Sequence, residues 1–164
     1  MKIILLVRHA HSSWNDHALS DFERKLTEAG KEDARRMAKR LLEKGIEIDS
    51  FVSSAAKRAE STAKIFMTEY GADKNSLKLM SSLYNPSVKN LYDAVESSDD
   101  NQETVALFSH NPGITDFANS FDGTPVYDMP ACGVYAIRVD IKQWKDFSVA
   151  EKEFLFFDYP ENHS

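Results

Sequence analysis

The chain is patterned as short apolar segments that alternate with amphipathic ones. Residues 3–7 are five consecutive large aliphatics, which is typical of a strand buried on both faces. After Thr27, apolar residues recur at helical spacing until Gly45, which predicts a helix with a glycine at its C-terminal end. The same reasoning predicts strands near 50–53, 77–80, 103–110, 133–141 and 151–159, and helices within 55–71, 87–97 and 111–121.

This alternation predicts the fold class. Strands that alternate with helices indicate an α/β protein, here a three-layer α/β/α sandwich with a mainly parallel central sheet. No helix is predicted between 133–141 and 151–159, so one antiparallel edge strand is expected. We find no internal repeat, low-complexity segment or Pro/Gly-rich linker, and therefore no domain boundary.

Composition narrows the function classes. The 164 residues are 42% hydrophobic and 28% charged, as in ordinary globular proteins. The net charge of −6 argues against nucleic-acid binding. A single cysteine, Cys132, cannot form an internal disulfide and suits a reducing compartment. The sequence has no signal-peptide cleavage site and no run approaching the about 18 apolar residues of a membrane span, so we expect a cytoplasmic protein without membrane attachment.

Polar residues follow three of the predicted strands. Arg8 and His9 end the first strand, Arg58 lies early in the helix after the second, and His110 and Asn111 follow the strand at 103–110. Charged residues also lie at the exposed ends of many core strands. From the first strand alone, Arg8 and His9 are explained equally well as such end residues or as part of a ligand site. In a parallel sheet, however, all three ends open on one edge, where ligand crevices form. Four cationic or titratable side chains gathered there repel one another unless an anion joins them.

Phosphoryl transfer is the chemistry that suits this cluster. Arginine guanidinium groups bind phosphate oxygens in pairs and offset the charge of the transferring group. A neutral imidazole, with an ordinary pKa of about 6.5, is a capable phosphoryl acceptor near pH 7. A second histidine can stabilise charge in the transition state. This scheme needs no metal and no cofactor.

Three motifs carry a family resemblance. The segments RHAHSSWN, SSAAKRAESTA and FSHNPGI, in this order, resemble the histidine phosphatase superfamily, and within it the SixA-type phosphohistidine phosphatases. The segment LTEAGKEDARRMA is similar to that family's helix after the first loop. The resemblance implies a phosphoglycerate mutase-like fold and a single histidine phosphatase domain over residues 1–164.

The resemblance also implies roles for individual residues. His9 would be the nucleophile that carries a covalent phosphohistidine intermediate, and Arg8, Arg58 and His110 would complete the phosphate pocket. Ser12, Asn15 and Asn111 are the predicted substrate-binding residues. For Ser12 and Asn15 an ordinary role in a turn is the alternative, since serine and asparagine commonly form turns.

The sequence departs from the family's pattern in three places. Ala10 stands where the superfamily has glycine, and His11 where related sequences have lysine. The His-Ala-His spacing also occurs in metal-dependent hydrolases, but those are barrels of about 250 residues, so we predict no metal. The glutamate that serves many members as general acid has no counterpart in residues 81–90. An alkoxide needs such an acid to leave, whereas imidazole leaves more easily, so a phosphohistidine substrate is favoured.

These observations predict a metal-independent phosphatase that hydrolyses phosphohistidine on a protein. The alternatives are a small-molecule phosphomonoesterase of the same superfamily, a non-catalytic phosphoprotein-binding module and a metal-dependent hydrolase. The expected partner is a phosphorylated protein or a small phosphorylated substrate, and the chain is expected to be a monomer.

Overall fold

Six strands form one sheet in the computed structural model, which describes residues 1–14 and 17–162. The strands are β1 (Lys2–Arg8), β2 (Ser50–Ser53), β3 (Lys78–Leu79), β4 (Thr104–Ser109), β5 (Val134–Val139) and β6 (Lys152–Asp158). The helices are α1 (Glu28–Glu43), α2 (Lys57–Tyr70), α3 (Val88–Glu96) and α4 (Gly113–Asn119). None of the helices in the described ranges is both long enough and apolar enough to cross a bilayer.

The sheet has the strand order β3-β2-β4-β1-β5-β6. Neighbours among β3, β2, β4 and β1 pair in parallel, while β5 pairs antiparallel with both β1 and β6. The predicted mainly parallel sheet is confirmed. The strand that runs opposite to the others is β5, which lies second from the edge. The β5–β6 connection lacks the crossover helix that a parallel pair needs, so β6 pairs antiparallel with β5.

The sheet separates two apolar cores, which completes the predicted three-layer sandwich. Leu5 and Val7 of β1 pack in the core that α1 and α2 cover. Ile4 and Leu6 pack in the opposite core with α3, α4 and the 3-10 segment Trp144–Val149. All four side chains are fully buried. The uninterrupted apolar run is therefore explained by burial on both faces of a central strand.

The predicted helix boundaries are confirmed at their capping residues. Thr27 precedes α1, and its hydroxyl accepts a hydrogen bond from the Gly30 N–H at 2.9 Å. Gly45 and Gly71, which follow α1 and α2, adopt left-handed backbone angles with φ of 76° and 67°. Glycine adopts this conformation without steric cost, so both helices end where the glycines stand in the sequence.

Close backbone approaches fix the loops at the carboxyl edge of the sheet. A Cβ atom on Gly30 would lie 2.3 Å from the carbonyl oxygen of His11, so α1 packs directly on the loop that follows β1. A Cβ atom on Gly113 would lie equally close to the carbonyl oxygen of Pro86, which brings the start of α4 against the segment before α3. Both contacts bring polar loops together at this edge.

Candidate active site

The carboxyl ends of β1, β2 and β4 meet at one edge of the sheet, where they border a cavity of about 310 Å³. The four residues that the sequence predicts for the phosphate pocket line this cavity together: Arg8, His9, Arg58 and His110. Ser12, Asn111 and the exposed His11 line it as well. Four further lining residues were not predicted as site residues: Trp14, Arg24, Asn85 and Ala131.

His9 is held in one orientation by its neighbours. Its Nδ1 lies 2.8 Å from the carbonyl oxygen of Ala10, and because a carbonyl only accepts, Nδ1 carries the ring proton. The lone pair is then on Nε2, which receives a hydrogen bond from Arg58 Nε at 3.3 Å. The Ala10 N–H donates in turn to the Thr62 hydroxyl at 3.0 Å, which ties this segment to α2.

Burial keeps His9 neutral. The residue is 8% exposed, and this desolvation, reinforced by Arg58, Arg8 and Arg24, lowers its pKa to about 4. The hydrogen bond to Ala10 opposes the shift but does not cancel it. At pH 7 the Nε2 lone pair is therefore free of a proton, which is the state that a nucleophilic imidazole requires.

The two predicted arginines approach the cavity from different elements. Arg8 ends β1, and its Nη1 donates to the carbonyl oxygen of Met129 at 2.8 Å. Its buried Nε has no hydrogen-bond partner in the part of the chain that the structure describes. Arg58 lies in the first turn of α2 and is 5% exposed, with all three guanidinium nitrogens engaged. An anion in the cavity would meet two desolvated guanidinium groups.

His110 faces His9 across the cavity, with ring centroids 5.1 Å apart. Its Nε2 lies 2.8 Å from the Ser54 hydroxyl, which also accepts a hydrogen bond from the Ala56 N–H. Within residues 1–14 and 17–162, nothing pairs with its buried Nδ1. Desolvation, followed by the charges of His9 and Arg58, lowers the pKa of His110 to about 3, so this ring is also neutral at pH 7.

Two of the three predicted substrate-binding residues, Ser12 and Asn111, form hydrogen bonds within the protein. The Ser12 hydroxyl accepts a hydrogen bond from Arg24 Nη1 at 2.7 Å. The Asn111 amide donates to Asp128 and to the Met129 carbonyl, and its oxygen accepts from the Thr115 hydroxyl. Asn111 thus holds the loop that also contacts Arg8. The third predicted residue, Asn15, lies outside the described residues.

Sequence reasoning missed the polar network behind Arg58. The Asp21 carboxylate accepts hydrogen bonds from Tyr84 (2.5 Å), Arg24 (3.1 Å) and Arg58 (3.2 Å). The Asp21 carbonyl oxygen accepts a fourth, from Arg58 Nη1 at 2.6 Å. Asp21 is 37 positions from Arg58 and 63 from Tyr84, so no local pattern signals the contact.

No carboxylate lines the cavity within residues 1–14 and 17–162. Asp21 is the carboxylate that touches Arg58, and the hydrogen bond from Tyr84, aided by both arginines, lowers its pKa to about 2. Glu60 pairs with Lys64 and Asp93 with Lys89, as structural ion pairs on helix surfaces. Among the described residues, no group of three His, Cys, Asp or Glu side chains is placed to hold a metal ion.

Comparison with known proteins agrees with this geometry. The family model of the histidine phosphatase superfamily (branch 1) matches residues 4–83, which include Arg8, His9 and Arg58. The solved structure of the protein histidine phosphatase SixA, complexed with tungstate, superposes with a TM-score of 0.81 and covers 96% of this chain and 97% of that one. Residues 4–83, just under half of the 164-residue chain, match this family. At 19% sequence identity, the likeness to SixA shows a shared fold.

Relatives found by sequence extend the comparison. An uncharacterized chloroplastic protein of Arabidopsis thaliana is 25% identical over 151 residues, which are 87% of this chain and 69% of that protein. The mitochondrial serine/threonine-protein phosphatase Pgam5 of Drosophila persimilis is 37% identical over 75 residues. That match spans 46% of this chain and a quarter of Pgam5. The Pgam5 match covers less than half of this chain, so the phosphatase activity, the monomeric state and the cytoplasmic location of this protein stay predictions.

Proposed function

We propose that this protein is a histidine phosphatase that hydrolyses phosphohistidine on a protein, without a metal, through a covalent phosphohistidine on His9. The observation that carries the proposal is the state of His9: its proton lies on Nδ1, its lone pair lies on Nε2, and its pKa of about 4 keeps it neutral. Arg8, Arg58 and His110 line the same cavity and are the groups that would bind the phosphoryl oxygens.

The reaction proceeds in two displacements. His9 Nε2 attacks phosphorus, a new N–P bond forms, and the N–P bond to the substrate imidazole breaks. The bonding electron pair passes to the departing nitrogen, and the substrate ring, which carries a proton on its other nitrogen, leaves as neutral imidazole. A water molecule then attacks the phosphohistidine. The bond to Nε2 breaks and inorganic phosphate leaves, which restores the His9 lone pair.

The surrounding side chains stabilise the charge that develops on the phosphoryl oxygens. Arg8 and Arg58 donate from two sides. If the Ser54 hydroxyl donates its hydrogen bond to His110 Nε2, the ring proton lies on the unpaired Nδ1. In that tautomer His110 is a third hydrogen-bond donor. The hydrogen bond from Arg58 Nε to His9 Nε2 must break before the attack, and Arg58 Nε can then donate to an oxygen of the incoming phosphoryl group.

The acid–base groups of the site favour phosphohistidine over a phosphate ester. An alkoxide leaving group requires a positioned proton donor. No carboxylate among the described residues lines the cavity, and Asp21, with a pKa of about 2, remains ionised at neutral pH. An imidazole leaving group depends much less on such a donor, so this site is better suited to breaking a P–N bond.

The rim of the cavity supports a protein as the carrier of the phosphohistidine. Trp14 is 68% exposed and lines the cavity, and Phe22 on the neighbouring 3-10 turn is also exposed. Exposed aromatic side chains are enriched where proteins contact one another. These exposed rings would contact a protein that presents a phosphorylated side chain to the cavity.

Intact-protein mass spectrometry tests the proposal. On mixing with a phosphohistidine peptide, the wild type should transiently gain one phosphoryl group and release phosphate, in the presence or absence of a chelator. The His9→Ala variant should show neither event, whereas His17→Ala, an exposed histidine outside the cavity lining, should behave as the wild type.

Three outcomes would overturn parts of this proposal. Turnover by His9→Ala would remove His9 as the nucleophile. Faster hydrolysis of a sugar phosphate than of the phosphohistidine peptide would indicate a small-molecule phosphomonoesterase. Binding of the peptide without turnover by the wild type would indicate a phosphoprotein-binding module.

A further inference from the structure

Asp21 is a negatively charged residue in direct contact with Arg58 of the cationic pocket. It lies in the 3-10 turn Asp21–Glu23, and its side chain is 46% exposed. Tyr84, which follows the 3-10 turn Ser81–Leu83, donates its hydroxyl proton to Asp21 Oδ2 at 2.5 Å. Two segments far apart in the sequence thus meet at this carboxylate, directly behind Arg58.

The contacts to Arg58 fix the direction of its guanidinium group. Nη1 donates to the Asp21 carbonyl oxygen at 2.6 Å and Nη2 to Asp21 Oδ2 at 3.2 Å. The remaining guanidinium nitrogen, Nε, faces His9 Nε2 at 3.3 Å. Asp21 therefore holds the outer end of the guanidinium group so that its inner N–H points at the nucleophile, where the phosphoryl group must bind.

The negative charge of Asp21, considered alone, should weaken anion binding in the pocket. A carboxylate next to an anion-binding pocket repels phosphate, so its removal should strengthen anion binding if charge alone matters. If Asp21 orients Arg58, its removal should instead weaken anion binding, because a buried arginine without its partner no longer presents its donors to the anion. The two effects differ in sign, and an experiment can separate them.

We propose that Asp21, fastened by Tyr84, is a positioning residue that aims Arg58 at the phosphoryl group. This inference rests on the proposed function, in which Arg58 stabilises the transferring group. Asp21 itself does not touch the reacting atoms. Its carboxylate is suited to the task because both oxygens only accept, and it receives donors from Arg24, Arg58 and Tyr84.

The test variant is Asp21→Asn. An amide of the same size places an NH₂ group against Arg24 or against Arg58 and Tyr84, so at least one donor loses its acceptor. We expect inorganic phosphate, measured by titration calorimetry, to bind about threefold or more weakly, and the rate of His9 phosphorylation at saturating donor to fall about 10- to 100-fold. Tyr84→Phe removes the fastening hydroxyl and should lower the same rate about threefold.

The matched control is Glu23→Gln in the same 3-10 turn. Glu23 bonds to Ser20 and has the same charge as Asp21, and it does not contact Arg58. The Glu23→Gln variant should keep the phosphate affinity and the phosphorylation rate of the wild type. Unchanged or improved values of either quantity in Asp21→Asn would overturn the proposal. If the wild type is not phosphorylated by any donor, the proposed function fails, and phosphate affinity alone still decides the role of Asp21.

Discussion

At the scale of single residues, the reactive state of this site is set by neighbours of the two histidines. Backbone and serine contacts orient the rings of His9 and His110, and burial keeps both neutral. The arginines around them reinforce that state by repelling a positive charge. A neutral histidine pair among fixed cations is suited to bind a phosphoryl group, because the negative charge of that group offsets the charge of the arginines.

Ser54 controls which nitrogen of His110 can donate to phosphate. Because its hydroxyl bonds Nε2 at 2.8 Å, replacing it by alanine leaves the ring free to adopt either tautomer. We expect Ser54→Ala to lower the rate of His9 phosphorylation about tenfold. Ser53→Ala is the control: its buried hydroxyl bonds the Ser54 carbonyl, so it should cost about 1 kcal/mol in unfolding free energy and leave the rate near wild type. Equal rates for the two variants would show that Ser54 does not orient His110.

At the scale of secondary-structure elements, most of the fold could be predicted because its signals are local. The apolar run of β1 and the capping residues Thr27 and Gly71 each act within a few positions of the chain. The strand ends then bring Arg8, His9 and His110 to one edge, since a parallel sheet allows no other arrangement.

The remainder of the site could not be predicted, because it depends on tertiary contacts. Asp21 reaches Arg58 only when the loop before α1 folds over the start of α2, and Tyr84 reaches Asp21 from beyond β3. Arg24 lies over the Trp14 ring at 3.3 Å and bonds Ser12. In the sequence, each of these residues is an ordinary polar or aromatic residue of a loop.

The packing of α1 on the loop after β1 gives a prediction at this scale. A methyl group at position 30 would collide with the His11 carbonyl, so the helix or the loop must shift. We expect Gly30→Ala to cost about 1–3 kcal/mol in unfolding free energy and to slow His9 phosphorylation, because the shifted loop follows directly on His9 and Ala10.

Gly71→Ala is the control for this prediction. It has a φ of 67° but open space around it, far along the chain from the loop after β1. It should cost about 1 kcal/mol and leave phosphorylation unchanged. Wild-type rates in Gly30→Ala, measured alongside its urea unfolding curve, would show that the loop tolerates the shift.

At the scale of the whole molecule, the fold buries two neutral histidines among arginines, and this arrangement makes stability depend on pH. The pKa values of His9 and His110 are lowered from 6.5 to about 4 and about 3. Between these values and pH 6.5 the unfolded chain binds more protons than the folded one, so stability falls as the pH falls. Above pH 6.5 both states are neutral at these positions and the full stability is present.

Urea unfolding at pH 7 and pH 5 measures this effect. Each histidine should contribute a loss of about 2 kcal/mol between the two values, less where their titrations are coupled. His110→Gln should lose about half as much stability over this interval as the wild type, because one of the two titrating groups is gone. Asp21, whose pKa is about 2, loses its contribution to the unfolding free energy only below about pH 4, which is outside the interval from pH 5 to pH 7. A wild type and a His110→Gln variant with the same loss from pH 7 to pH 5 would contradict the assignment, since the acid sensitivity would then arise away from the pocket.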